Sequence, residues 1–236
     1  MTSKKLGKSI TAYVLIIVLI IGSFSAVDQN EKSTNNQLFE DNSDILPKMF
    51  SQRNSNDWSA SASAANPAVL NSIDSSPSNE LVVAGIISGS TTMSMGSASI
   101  TSGQYIEPWI AKSDVNGNWQ WIEQVSITGV SQYAEATISD IAVASNGDIF
   151  ATGMFYDTIS FGSITLTSTG YWDCWTAKIS PNGQWQWAQS LNGDGDYDGV
   201  TVNTLDVVYG TSITTDSNND PIIGGWFLGN TDVGVA

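Results

Sequence analysis

Histidine is missing from this chain, cysteine and arginine occur once each, as Cys174 and Arg53, and lysine and arginine together number only 8. Each shortage closes off chemistry. Without histidine the commonest general base, proton shuttle and metal ligand is gone, so Ser-His-Asp catalysis, Cys-His catalysis and histidine-based zinc sites are excluded. A single cysteine rules out an intrachain disulfide and any CxxC zinc or redox site. Cys174 lies in a strand-like run and reads as a small buried hydrophobe. With 23 acids against 8 bases the net charge is −15, and setting aside Lys4, Lys5 and Lys8 at the N-terminus leaves −15 − 3 = −18 for the remainder. Such a surface repels phosphate backbones, so nucleic acid is not an expected partner. It suits solubility, or cation binding. No Asn-x-Ser/Thr sequon occurs, so ordinary N-glycosylation is not expected. After the first 26 residues no stretch carries a helical period long enough to compete with strand patterning.

What is present divides the chain into three. In residues 1–26 a positive start is followed by the apolar core Ala12 to Ile21 and by small residues, with Ser23 and Ser25 placed for cleavage. The apolar run is short for a span of about 20 residues, so it reads as a secretory signal peptide, with an uncleaved N-terminal membrane anchor as the alternative. Either puts the rest outside the cytoplasm, at the cell surface or secreted, touching membrane only through this segment. Residues 27–57 are rich in Asn, Ser, Asp, Glu and Gln without apolar periodicity, the composition of a polar disordered linker. From residue 58 to 236 the pattern is that of β-strands.

The dominant motif there is a Trp-rich hairpin that occurs twice. Trp109-Ile110-Ala111-Lys112 leads through Asn116-Gly117 to Trp119-Gln120-Trp121. Trp175-Thr176-Ala177-Lys178 leads through Asn182-Gly183 to Trp185-Gln186-Trp187. The offset is 175 − 109 = 66 without a gap. Asn-Gly between two alternating runs predicts a hairpin with a type I′ turn. A second hairpin occurs three times, ending at Gly85, Gly153 and Gly225, with offsets of 153 − 85 = 68 and 225 − 153 = 72. A further alternating run recurs around Gly96, Gly162 and Gly234. One unit is therefore four or five short strands, near 138–144, 148–155, 159–167, 174–180 and 184–190. Short strands joined by polar turns mean an all-β fold, and a four-stranded unit in tandem is the mark of a β-propeller blade.

Two segments carry a resemblance to a known family. Cys174 to Lys178 with Asn182-Gly183, and Ile141 to Gly153 (I-A-V-A-S-N-G-D-I-F-A-T-G), resemble the bacterial and archaeal cell-surface β-propeller repeat, of the seven-bladed type, over about residues 72–236. The resemblance implies a propeller fold and an exported location, and says little of activity. Two full units and a partial third are visible, whereas a propeller closes with about 4–8 blades, so a fragment of a longer protein is expected. Trp58-Ser59-Ala60-Ser61 resembles Trp187-Ala188-Gln189-Ser190, as a lone closing strand would.

Candidate sites are few. Trp119 and Trp121, and likewise Trp185 and Trp187, stand two apart on one strand face. They read as blade-to-blade packing, or as an aromatic platform for a ligand such as a sugar ring. Asp194, Asp196 and Asp198 form an Asp-x-Asp-x-Asp-Gly loop able to wrap oxygens round Ca²⁺. The twelfth position of an EF-hand loop falls on Leu205 instead of Glu, and the equivalent loop near Thr128 to Ala134 has no acids. No catalytic residues are identified. Ser113 to Trp119 has the letters of a sialidase Asp box but not its spacing, and no arginine cluster exists for a sialic acid. The expectation is an exported, non-catalytic structural, adhesion or ligand-binding module for a protein or glycan. The alternative is a propeller-type carbohydrate-binding protein or glycosidase. Calcium binding by the acidic loop predicts that added Ca²⁺ raises the melting temperature and that Asp194→Ala abolishes the rise. A solvated loop predicts no shift in either protein, and differential scanning fluorimetry separates the two.

Overall fold

The computed structural model describes residues 62–64, 68–169, 171–193 and 207–228. These residues all belong to one compact unit. The described part is all-β, without helix. Its sixteen strands are β1 (Ala62–Ala64), β2 (Ala68–Ser75), β3 (Leu81–Ser88), β4 (Thr92–Met95), β5 (Ala98–Thr101), β6 (Ile106–Ser113), β7 (Trp119–Gln124), β8 (Ser126–Ile127), β9 (Glu135–Val143), β10 (Ile149–Tyr156), β11 (Thr158–Phe161), β12 (Ile164–Thr167), β13 (Asp173–Ile179), β14 (Trp185–Leu191), β15 (Val207–Thr215) and β16 (Pro221–Leu228).

They form several small antiparallel sheets. Two have four strands, in the orders β2-β3-β6-β7 and β9-β10-β13-β14, and β15 pairs with β16. The four-stranded sheets share their register: Gly85 faces Trp109 as Gly153 faces Trp175, and Val82 faces Lys112 as Phe150 faces Lys178. Two three-stranded sheets, β1-β4-β5 and β8-β11-β12, complete the set. The run expected as one strand over 159–167 is instead two, β11 and β12, turning at Gly162 with φ +62°. They lie outside the four-stranded sheet, and β11 pairs with β8. Alternation alone reads the same on either side of a tight glycine turn, so sequence could not divide them.

The hairpins form where Asn-Gly predicts them, but not with a type I′ turn. Positive φ is confined to the last loop residue, at Gly117, Gly147 and Gly183, with Asn79 and Asn219 in the same place in the other two hairpins. Gly117 N–H donates to Asp114 O (3.0 Å), and Asp114 N–H to Asn118 O (2.9 Å). That is the three-residue loop ending in a left-handed residue and a bulge. An aspartate before the loop braces the turn in two hairpins, while Ala144 stands there in the Asn146-Gly147 hairpin with the same backbone bonds. Asp114 Oδ1 accepts from Asn116 N–H (2.9 Å) and Asn118 N–H (2.8 Å), and Asp216 does the same for Asn218 and Asp220. These hydrogen bonds, led by Asn118 at Asp114 and by the Asp220 amide at Asp216, hold both carboxyls below the ordinary aspartate range.

A second glycine row has a different cause. β2, β9 and β15 face their neighbours through register shifts, at Leu70/Ser72, opposite Thr152/Gly153, and at Gly210/Ser212. There the first strand bulges towards the second. A Cβ on Gly85, Gly153 or Gly225 would collide with the carbonyl oxygen of Val69, Thr137 or Tyr209 respectively. Only glycine lets the strands close.

The core lies between sheets. Val82, Ala84 and Ile110 of one four-stranded sheet pack with Ile138, Ile149, Ala151, Trp175, Ala177 and Ile179 of the next. The opposite side of that second sheet gives Ala142, Ala144 and Phe150, which meet Ile213 and Ile223 of the β15-β16 pair. β10 and β13 are therefore buried almost without alternation, as a strand covered on both faces must be. Gly153→Ala should lower stability by about 3 kcal/mol through overpacking against backbone. Gly147→Ala, which strains a left-handed turn and sets its Cβ 3.3 Å from the Pro181 side chain instead of against backbone, should cost less, about 1 kcal/mol. Urea midpoints at unchanged m-value check the ordering, and equal costs would refute the close-approach argument.

Candidate functional site

The four candidate tryptophans sit on the outermost strands and are half-buried. Trp119 lies over the turn at Gly96, and Trp185 over the matching turn at Gly162. Trp185 also meets Phe161 edge-on with ring centroids 5.0 Å apart. Trp121 reaches the next hairpin, where its Nε1–H donates to Pro181 O (3.0 Å) and its ring covers Gly183. Trp187 packs on Phe150 at 5.9 Å and joins the cluster with Ile213. The first indole of each pair thus seals a small sheet and the second bridges towards the following unit. Their faces are engaged in packing.

Sheet-to-sheet joints are polar as well. Lys112 Nζ donates to Pro181 O (3.3 Å) and pairs with Glu80 at 2.9 Å, while Lys178 pairs with Asp148 at 2.7 Å. The Lys112 ammonium holds the Glu80 carboxyl below its usual range. Asp74 Oδ2 accepts from Val143 N–H (2.7 Å) and Asp140 Oδ2 from Ile213 N–H (3.0 Å), tying each first strand to the next. Ser72 Oγ donates to Asp140 Oδ1 (2.6 Å) and accepts from Ile141 N–H (3.3 Å).

Two buried carboxylates, Glu107 and Asp173, were not singled out by sequence. Glu107 accepts from Gly103 N–H (2.8 Å), Ile127 N–H (2.9 Å) and Gln124 Nε2 (2.6 Å). Asp173 accepts from Thr169 N–H (2.6 Å) and Gly193 N–H (3.1 Å). Each stands at the start of the third strand of its sheet and gathers two backbone amides, at 173 − 107 = 66 residues' separation. The signal available was the shared offset with the Trp hairpin. Both are spent as acceptors, the role that makes a buried carboxylate tolerable. Cys174 beside Asp173 is buried, and burial pushes its thiol pKa up, away from reactivity.

An exposed aromatic group was also missed. Tyr156 meets Tyr171 at 5.5 Å and Trp172 at 6.2 Å, and Tyr209 stacks on Trp226 at 4.3 Å with planes 14° apart. Val208 N–H donates to Trp172 O (2.8 Å), bringing the two sets together. Tyr171 is 47% exposed and Trp226 52%. Glu135, opposite Tyr156 in the ladder, has its carboxyl raised by burial. Tyr209 is raised by burial first, then by the Glu135 charge and Tyr171. Aromatic spacing in the sequence is irregular here, so no period marked the group.

Asp194, Asp196 and Asp198 lie outside the described residues, as does the segment 1–61. Among the described residues no group of three acidic, cysteine or histidine side chains could hold a metal ion. No described helix is long and apolar enough to cross a membrane. A pocket beside β1 and β2, walled by Ala62, Ala64, Val69, Met93 and Trp109, contains no carboxylate. No protein-family model matches the chain, and no curated protein matches it.

The half-buried Glu135 and Glu123 carboxyls are both raised by burial. A raised folded-state pKa means the folded form holds its proton more tightly, so stability falls as pH rises from the ordinary glutamate range through the folded value. Glu135→Gln should therefore melt higher than the parent at pH 7, with the gap closing below about pH 4. A gap independent of pH would exclude the charge as its cause.

Proposed function

We propose that this chain is an exported, non-catalytic interaction module built from β-propeller-like tandem units, holding its loops and aromatic surface for a protein or glycan ligand. The observation that carries the reading is the use of its carboxylates. Glu107 and Asp173 receive loop amides, Asp74 and Asp140 receive strand amides, Glu80 and Asp148 neutralise lysines, and Asp114 and Asp216 close turns. Among the described residues, acids so committed leave no converging pair of the kind glycoside hydrolysis needs. The matching order and register of the two four-stranded sheets support a tandem unit. The positive, apolar start of the sequence supports export.

A second reading, carbohydrate binding without hydrolysis, is favoured by the exposed faces of Tyr171 and Trp226 beside Glu135. Such rings offer flat apolar surface with a hydrogen-bonding group at the rim. Calcium in the acidic loop would rigidify presentation of these surfaces.

Two measurements test the module. Protease added to intact cells should remove the protein, and a soluble preparation should release no reducing sugar from a glycan panel. Protection from protease refutes export, and hydrolysis refutes the non-catalytic reading. Where a glycan binds, Tyr171→Ala should weaken it about tenfold, while Val115→Ala, exposed on the Asp114–Asn118 turn, should not.

A further inference from the structure

Asparagine before glycine is prone to lose its side-chain amide, because the glycine nitrogen can attack the carboxamide with no Cβ to crowd its approach. The chain holds four such pairs, Asn116-Gly117, Asn146-Gly147, Asn182-Gly183 and Asn192-Gly193. All four lie in the described residues. A fold ranks them by what it does to the carboxamide and to the glycine.

Three of the four are held. Asn146 Nδ2 donates to Asp148 Oδ2 (2.7 Å), and its Oδ1 accepts from Asp148 N–H (3.0 Å), so the carboxamide is fixed at both ends. Gly183 is buried, with the Trp121 ring so near that a Cβ there would lie 3.0 Å from it. Its turn is clamped again where Lys112 and Trp121 both donate to Pro181 O. Gly193 is buried, gives its N–H to Asp173 Oδ1 (3.1 Å) and receives Thr169 Oγ1 on its carbonyl (3.1 Å).

Asn116 is different. Val115, Asn116 and Asn118 are all exposed. Asn116 is held through its backbone, whose N–H donates to Asp114 Oδ1 (2.9 Å). Among the described residues no group bonds its carboxamide. The Gly117 N–H donates to Asp114 O (3.0 Å), but Gly147 and Gly183 make the same bond, so it does not rank them.

We propose that Asn116 is a site of self-modification, converted through a cyclic succinimide to aspartate and isoaspartate, while the other three asparagines persist. Solvent base takes the Gly117 amide proton, and the nitrogen forms a bond to Asn116 Cγ. The Cγ–Nδ2 bond breaks and the side-chain nitrogen leaves as ammonia. One water then opens the ring. Cleavage of the new bond gives aspartate, and cleavage of the original peptide bond gives isoaspartate. Nothing is oxidised or reduced. Either product sets a new negative charge in the turn that Asp114 braces. Isoaspartate also adds a backbone carbon between Lys112 and Trp121, the two residues that grip Pro181. The site is independent of the export reading.

The test ages the full chain in warm, mildly alkaline buffer and maps peptic peptides by mass spectrometry. The Asn116 peptide should gain about 1 Da, split into aspartyl and isoaspartyl forms, and take one oxygen from heavy-oxygen water. The other three should convert at least about tenfold more slowly, since hydrogen bonds or packing must open first. In chain unfolded by urea the four rates should converge. Asp148→Ala, which frees Asn146 Nδ2, should speed Asn146 about threefold. Should that variant not fold, the urea comparison decides alone. Equal rates at the four sites of the folded chain overturn the proposal. So does a ranking that survives unfolding, an unchanged Asn146 rate in folded Asp148→Ala, or a product without isoaspartate.

Discussion

A four-stranded sheet whose strands run seven to nine residues and are apolar on both sides cannot fold alone, and the β9-β10-β13-β14 sheet is of this kind. Its two faces must be covered by other sheets, so inter-sheet packing is the constraint that everything else serves. Trp175, fully buried, gives the scale: removing a core indole costs about 3–5 kcal/mol, a large part of any domain's net stability. The bulges and glycines follow from the same demand, because sheets approach closely only where a backbone carbonyl can sit where a side chain would have been.

Polar groups solve the other half of the problem. Stacked sheets leave loop and strand-edge amides inside the stack, and each must find an acceptor. An acidic chain with few bases supplies those acceptors as carboxylates. This recasts the charge balance. The excess of acid, read from composition as a matter of solubility or cations, is in the described region largely a set of fixed hydrogen-bond acceptors.

Much of the fold was legible in the sequence, for local reasons. Alternation and Asn-Gly pairs marked the hairpins, and constant offsets marked equivalent strands. The turn type was not legible, because the same three-residue loop forms with Asp114, Ala144 or Ser180 before it, so no one side chain there marks it. The division of 159–167 was hidden by the symmetry of alternation across Gly162. Of the site residues, Trp119, Trp121, Trp185 and Trp187 were found by spacing, but their surroundings depend on which turn each indole meets. Glu107 and Asp173 were missed because a single acid at a strand start carries no pattern until its amide donors, 4 and 20 residues away in Asp173's case, are brought to it. The aromatic group around Tyr171 is assembled from three strands and their connections, which no linear window spans.

The contact made at Pro181 has a consequence for how such a chain can grow. Lys112 and Trp121 of one unit both end on the carbonyl of the next unit's turn. One sheet thus brings two donors and its neighbour the acceptor, as a tongue meets a groove. A segment that carried both the donors and the turn carbonyl would, if duplicated, carry the whole joint with it, so that length could change without any new contact having to be invented.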